Sequence, residues 1–283
     1  MVRTRYAGTR GVHLILFSDE NAPVPGAGAA GPRRPFPNLG SFTALKNRGN
    51  MTFNSFQVEV ERRFSSGLSF LSAVTLGKSI DDGDRNESSV QNPRNYAAEK
   101  ALSRFHIGKR WITSALWELP FGKKKKFGAS WNGILDAVLG GWQTNAVFTA
   151  QDGPPFEPQA ADTTNGAGGR RPDRIGNGNL PASQRTLDHW FDKSAFVLPK
   201  AYVYGNSGRN VLFGPGLVNL DFSLFKNFAA TERFTVQFRA ESFNFTNTPS
   251  FNVPNARIDL AAGGVITSAG APRISQLGLK LLF

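Results

Sequence analysis

The stretch that decides the fold lies near the C-terminus, where residues 218–241 read VNLDFSLFKNFAATERFTVQFRAE. Apolar and polar residues alternate on both sides of a short turn placed at residues 229–231. The apolar positions are Val218, Leu220, Phe222 and Leu224 before the turn, and Phe234, Val236, Phe238 and Ala240 after it. Because successive side chains of a strand point to opposite faces, the pattern predicts a β-hairpin with one apolar and one polar face.

The same alternation recurs along the chain in segments of about ten residues, the length that a tilted membrane strand requires. It covers residues 3–16, 56–64, 68–76, 105–119, 141–151 and 274–283. Mean hydropathy is only -0.29, as expected when half of each strand is polar. We therefore predict an all-β fold, an antiparallel transmembrane β-barrel segment of roughly nine strands. Alone it would form an open, curved sheet with two unpaired edges.

Ionisable side chains run along the polar face of these strands, which favours a water-filled lumen over a soluble β-sandwich. The residues expected to face the lumen are Glu59, Glu61, Gln237, Arg239 and Glu241. The connections also alternate between short and long, as do the periplasmic turns and outer loops of membrane barrels. Counting strands back from the C-terminus places residues 17–38 on the short-turn side, although this Pro-rich segment is long for a turn.

Aromatic residues collect beside the short turns, where a ring of them would mark one membrane interface. They are Phe64, Trp117, Phe121, Phe127, Trp131, Trp142, Phe228, Phe234 and Phe283. The last strand ends on Phe283, with Leu281, Leu279 and Leu277 before it on the same face. This pattern is typical of the signal that the barrel-assembly machinery reads. An ordinary closing strand that ends in Phe is the alternative.

Composition excludes several classes of site and leaves three weak candidates. The net charge is +12, and apart from Lys123 to Lys126 the basic residues are scattered singly along the strands, so we expect no nucleic-acid partner. With no Cys and three dispersed histidines, we expect no enzyme activity, catalytic residue, cofactor or metal site. Asp81 to Asp84 resembles an incomplete Ca²⁺ loop and is better explained as a solvated turn. Lys123 to Lys126 fits anionic headgroups or a charged turn equally well.

The longest predicted loop, residues 154–214, carries His189-Trp190-Phe191-Asp192 together with Arg170, Arg171 and Arg174. Such a loop would contact an external ligand or the anionic lipid of the outer leaflet. A disordered excursion is the equal alternative.

Motifs over nearly the whole chain resemble the C-terminal barrel of TonB-dependent receptors of the Oar-like, carboxypeptidase-regulatory-domain type. The resembling segments are YAGTRG at 6–11, NSFQVEVERRF at 54–64, KSIDD at 78–82, ELPFGK at 118–123, LGGWQ at 139–143 and RAESFNFTN at 239–247. The resemblance implies a larger barrel, a plug and a TonB-contacting segment that are absent from these residues. We thus expect residues 1–283 to be the C-terminal part of a longer outer-membrane protein, because residues 1–6 show no signal peptide.

The expected function is TonB-dependent uptake of a bulky nutrient through a polar lumen in the bacterial outer membrane. The expected partners are outer-membrane lipid and lipopolysaccharide, the barrel-assembly machinery, TonB through the plug, and an unidentified nutrient. A passive porin-like or small outer-membrane barrel is the first alternative. A soluble β-rich binding or adhesion protein is the second.

Overall fold

The computed structural model describes residues 1–83, 90–123, 125–229 and 233–283. The strands are β1 Val2–Asp19, β2 Thr43–Ser65, β3 Leu68–Asp81, β4 Ala101–Leu102, β5 Lys109–Glu118, β6 Trp142–Gln151, β7 Pro155–Phe156, β8 Asp173–Arg174, β9 Phe196–Val197, β10 Leu212–Phe213, β11 Leu217–Ala229, β12 Thr235–Phe243 and β13 Ile274–Leu282. A helix, α1, spans Gly133–Leu139, and single 3-10 turns occur at Gly31–Arg33, Tyr96–Glu99, Ala182–Gln184 and Lys193–Ala195.

One nine-stranded antiparallel sheet dominates the molecule. Its order is β1-β2-β3-β5-β6-β11-β12-β13, and the two-residue strand β4 pairs with the end of β3. In the described part of the chain β1 and β13 each have a strand on one side only, so the sheet is open. The predicted all-β architecture, the strand number and the two unpaired edges are confirmed.

The β2–β3 connection shows how local sequence fixes the strand register. Ser66 and Gly67 form a two-residue turn with φ angles of +53° and +81°, and Ser65 pairs with Leu68 across it. Two left-handed residues in succession match the right-handed twist of a hairpin, and Gly adopts this conformation without strain. A register shift of one residue between Arg62 and Ser65 then places Glu59 opposite Ala73, where the turn alone would have placed it opposite Val74.

Residues 17–38 do not lie on the short-turn side, so the prediction from strand counting is wrong. Eight strands cross between the two ends of the sheet, and β1 therefore starts at the short-turn end and runs towards the long loops. The segment that follows packs there: the Arg33 guanidinium donates to the Asn165 carbonyl at 2.5 Å, and the Asn165 amide donates to the Gly26 carbonyl at 2.9 Å. Counted back from the C-terminus, the eight predicted segments also leave residues 17–38 at the long-loop end, so the prediction was wrong by one crossing.

Two further features differ from the sequence prediction. Strand β5 begins at Lys109 rather than Phe105. Residues 103–106 form a turn instead, in which the His106 amide donates to the Ser103 carbonyl. The connection between β5 and β6, residues 119–141, contains the helix α1, which the sequence pattern did not predict. Asp84, Lys124, Ala230 and Thr231, which belong to the candidate loop, the lysine run and the predicted hairpin turn, lie outside the described residues.

The hydrophobic core lies in the long connections and not under the sheet. Its buried members are Phe156, Phe191, Ala195, Phe196 and Leu212, with Val211, Ala256 and Ile258 packed around them. Phe191 contacts Phe156 and Phe196 edge to face, with ring centroids 5.8 and 6.3 Å apart. The loops therefore form a folded cap at one end of the sheet, and among the described residues no such core covers the apolar face.

Candidate functional site

The register of the sheet gathers polar side chains from many strands on one face, which we call the polar face. One row across it contains Arg3, Glu59, Ala73, Ile112 and Thr149, and directly paired residues share a face. The polar face is concave near β1 to β6, where it encloses about 710 Å³. Its polar lining residues include Arg3, Arg5, Glu59, Glu61, Ser69, Ser114 and Asn145, and Leu71, Leu116 and Val147 lie among them.

Ion pairs join the first two strands across the polar face. The Arg3 guanidinium lies 2.5 Å from the Glu59 carboxylate and 2.7 Å from that of Glu61, and Arg5 approaches Glu59 at 3.6 Å. Glu59 is only 7% exposed. A carboxylate this buried needs a partner, and the two arginines supply it. The surface can therefore hold both signs of charge inside a concave polar wall.

A second polar cluster occupies the other end of the sheet. The Arg239 Nε donates to the Gln237 side-chain oxygen at 2.6 Å, and the Gln237 amide donates to Asn227 at 2.9 Å. The Glu241 carboxylate accepts a hydrogen bond from the Gln276 amide at 2.7 Å. All five residues predicted to face the lumen thus lie on the polar face, but in two separate clusters. Whether that face lines a water-filled lumen remains a prediction.

The opposite face is apolar and exposed. One row across it contains Val2, Val60, Ser72, Thr113 and Phe148. Large side chains on this face are exposed in β1, β2, β3, β5, β11 and β13, and those of β6 and β12 are half-buried. Exposed examples are Tyr6, Phe56, Val74, Leu76, Trp111, Trp117, Val218, Phe228, Leu277 and Leu279. An apolar surface of this extent is unfavourable in water and favourable in hydrocarbon. This face fits a lipid bilayer.

Lys226 is a residue that the sequence reasoning missed. It lies on the apolar face opposite Trp142 and Phe238, is 4% exposed, and places its ammonium 5.2 and 5.1 Å from the rings of Trp142 and Phe228. Aromatic faces stabilise a desolvated cation electrostatically. The alternation alone identifies Lys226 as a cation at an apolar position, which is the signal that could have revealed it.

Buried ion pairs hold the cap together and overturn two of the loop interpretations. Asp81 pairs with Arg209, and Glu99 pairs with Arg171, all inside the protein. Burial raises the pKa of Glu99, while the neighbouring Arg171 opposes this shift. Asp81 therefore does not belong to a solvated turn. Residues 189–192 do not form a disordered excursion either, since Phe191 is a core residue.

The other basic candidates have mainly local partners. Arg170 pairs with Glu157 at 3.0 Å, and Arg174 donates to the Gly176 and Asn177 carbonyls. In the lysine run, the Lys125 ammonium lies 2.6 Å from the Glu118 carboxylate. These contacts explain the residues structurally without requiring a ligand.

The four residues of the predicted assembly signal lie at the free edge of the sheet. Leu277, Leu279 and Leu281 share the apolar face with their β12 partners Ala240, Phe238 and Val236, and Leu277 and Leu279 are 77% and 76% exposed. Phe283 is 96% exposed. Recognition by the assembly machinery stays a prediction, and the exposure is compatible with it.

Neither a metal centre nor a helical membrane span is found in the described ranges. No three His, Asp or Glu side chains there converge as metal ligands would. None of the helices in those ranges has the length and apolarity needed to cross a bilayer.

An antiparallel sheet with a bare apolar face, a concave polar face and loops folded at one end defines the chain as part of a transmembrane β-barrel. Residues 1–276 match the family described as outer membrane beta barrel domain, and the chain belongs to that family. The protein is therefore an outer-membrane β-barrel protein of bacteria. This membership excludes the soluble alternative.

Among solved structures, the chain is similar to the outer membrane transporter YddB from Escherichia coli, with 11% identity and a TM-score of 0.49. The match covers 99% of this chain and 30% of the transporter chain, so the chain spans about a third of its length. No curated protein sequence matches significantly.

The two faces should respond oppositely to a charge in mid-strand. Ala146 lies on the apolar face opposite Phe222, and its neighbour Asn145 lies on the polar face opposite Ser223. We expect Ala146→Arg to destabilise the folded barrel by about 2–4 kcal/mol, because arginine is costly at the bilayer midplane. Asn145→Arg should change the stability little. Denaturant unfolding of both variants in lipid vesicles measures the difference, and equal costs would contradict the assignment of faces.

Proposed function

We propose that the chain forms part of a TonB-dependent importer that takes a bulky nutrient across the outer membrane through the polar face of its barrel. The observation that carries the proposal is the concave polar wall around Arg3, Glu59 and Glu61, which lies opposite an exposed apolar face. A barrel wall of this kind provides hydrogen bonds and charges of both signs to a polar solute. The resemblance of the motifs to TonB-dependent receptors supports the energy-coupled mechanism.

The folded cap supports capture of a ligand at the outer end. Long connections from four parts of the sheet meet there: the Arg94 guanidinium donates to the Ala22 carbonyl at 2.7 Å, and the Ile258 amide donates to the Gln159 carbonyl at 2.9 Å. A rigid cap can present a defined surface to a ligand at a lower entropic cost than disordered loops. In this mechanism the ligand binds at the cap and passes along the polar face once TonB has moved the plug.

Uptake by the full-length protein tests this proposal. Cells with and without the protein would receive a panel of labelled siderophores, oligosaccharides and peptides, with TonB present or deleted. We expect one class to accumulate only when both proteins are present. Accumulation that persists without TonB would instead establish the passive porin-like alternative.

A pair of neighbouring residues offers a matched test of the route. Ser114 lies on the polar face and lines the concavity, whereas Thr113 points to the apolar face opposite Phe148. We expect Ser114→Trp to reduce uptake by narrowing the passage and Thr113→Trp to leave it unchanged. Equal uptake by both variants at equal outer-membrane levels would contradict passage along the polar face.

A further inference from the structure

A groove crosses the apolar face of the sheet at the end where the long loops lie. It consists of two adjoining concavities of about 460 and 590 Å³, which share Gly77 and Lys78. Its other lining residues include Tyr6, Phe56, Leu76, Lys100, Leu102, His106 and Lys109. The groove lies on the outside of the sheet, because Leu76 pairs with Phe56 and Lys109 on the apolar face. A ligand there is reached from the membrane and not from the lumen.

Three lysines line the groove, and their charges are uncompensated by close contacts. Lys78, Lys100 and Lys109 are exposed, and none of their ammonium groups has an ion-pair or hydrogen-bond partner in the parts of the chain that the structure describes. One acid, Asp152, lines the groove beside Lys109. His106 is largely buried, and its Nδ1 accepts a hydrogen bond from the Ser79 amide at 3.3 Å. Three ammonium groups against one carboxylate leave an excess of positive charge.

Below the lysines the same face becomes apolar. Along β3 the residues on this face are Val74, Leu76 and then Lys78 towards the loops, and Val74 and Leu76 are exposed. A strand rises about 3.3 Å per residue, so Lys78 lies roughly 7 Å above Leu76 along the strand. The exposed rings of Tyr6 and Phe56 adjoin this position. Cations above aromatic and aliphatic side chains match an amphiphile with a phosphate above its acyl chains.

We propose that this groove binds a phosphate group of lipopolysaccharide in the outer leaflet. Long loops of outer-membrane barrels are extracellular, which places the groove at the outer-leaflet interface, where that phosphorylated glycolipid is found. Lysine ammonium groups bind phosphate as point charges, and near a membrane surface each contributes to the binding of anionic lipid. The site stabilises the barrel in its own leaflet. This proposal requires that the apolar face contacts lipid, and it does not depend on what the protein transports.

The test measures lipid retention by the protein purified from outer membranes in mild detergent, with native mass spectrometry as the readout. The probes are deep-rough lipopolysaccharide, its dephosphorylated form, phosphatidylglycerol and inorganic phosphate. The variant K78Q/K100Q/K109Q removes the groove charges. The control R63Q/K200Q/K280Q removes three charges from exposed basic side chains elsewhere, so both proteins have the same net charge.

We expect the groove variant to bind lipopolysaccharide about ten- to a hundredfold more weakly, and the control to bind as the unaltered protein does. Dephosphorylated lipopolysaccharide should bind the unaltered protein as weakly as the intact lipid binds the groove variant. Equal affinity of the two triple variants would overturn the proposal. Equally strong competition by phosphatidylglycerol or by inorganic phosphate would also overturn it, because the groove would then be a general anion site. Heat-modifiable gel migration confirms that both variants are folded.

Discussion

Replacing Glu99 by leucine is expected to loosen the cap by about 3–5 kcal/mol, the usual cost of removing one partner from a buried ion pair. Glu99 and Arg171 are each 2% exposed. A carboxylate left alone can take up a proton, but a guanidinium cannot lose one at any ordinary pH. Glu99→Leu therefore leaves a positive charge buried without its counter-ion. The cap should open more often while the sheet stays intact.

Amide hydrogen exchange in the cap measures this effect. The Gln91 amide donates to the Glu99 carboxylate at 3.2 Å, and the Arg171 amide donates to the Gln91 side chain at 2.8 Å. We expect both amides to exchange roughly a hundredfold faster or more, since each 1.4 kcal/mol is a factor of ten. The double variant Glu99→Leu/Arg171→Met removes both charges and should restore most of the protection of the Arg171 amide, whereas the Gln91 amide still lacks its carboxylate acceptor. Unchanged exchange in the single variant would show that the pair does not hold the cap.

Replacing Phe283 by alanine is expected to prevent most of the protein from inserting into the outer membrane. Phe283 is 96% exposed, so Phe283→Ala removes little packing and should cost the finished fold little. A strong effect on assembly would therefore report recognition of the ring by the assembly machinery and not a loss of stability. Pulse-chase fractionation of the full-length protein measures the rate of insertion.

Phe105→Ala is the matched control, because Phe105 is also an exposed phenylalanine, at 61%, but lies in a loop. We expect insertion at the normal rate for this variant. If Phe283→Ala inserts equally fast, the terminal residues are an ordinary closing strand.

The two faces of the sheet could be predicted from sequence because they rest on local geometry. The alternation in β11 and β12 fixes which side chains share a face. The register was not predicted: Phe228 pairs with Val236, so the hairpin is centred two residues later than the predicted turn at residues 229–231, a shift that leaves the two faces unchanged. The upper half of β2, residues 43–55, was missed. This part of β2 extends beyond the predicted membrane strand. Because neither of its sides needs to face lipid there, apolar and polar residues do not alternate, and the pattern that marks a strand is lost.

The cap could not be predicted, because its contacts join residues that are distant in sequence. Arg209 and Asp81 are separated by 128 positions, and no periodic pattern links them. Lys226 breaks the apolar pattern, and only the surrounding Trp142 and Phe228 rings show how its charge is accommodated.

The central claim is that each long strand has a water side and a lipid side, and cysteine labelling tests it most directly. The chain contains no Cys, so a single introduced thiol is the only one in these residues that reacts. Single-cysteine variants at residues 236–241 of the full-length protein, in isolated outer membranes, would be treated with a membrane-impermeant maleimide.

We expect labelling at Gln237→Cys, Arg239→Cys and Glu241→Cys, and none at Val236→Cys, Phe238→Cys and Ala240→Cys. Labelling that does not alternate, or that favours the apolar set, would contradict a strand with its apolar side in lipid.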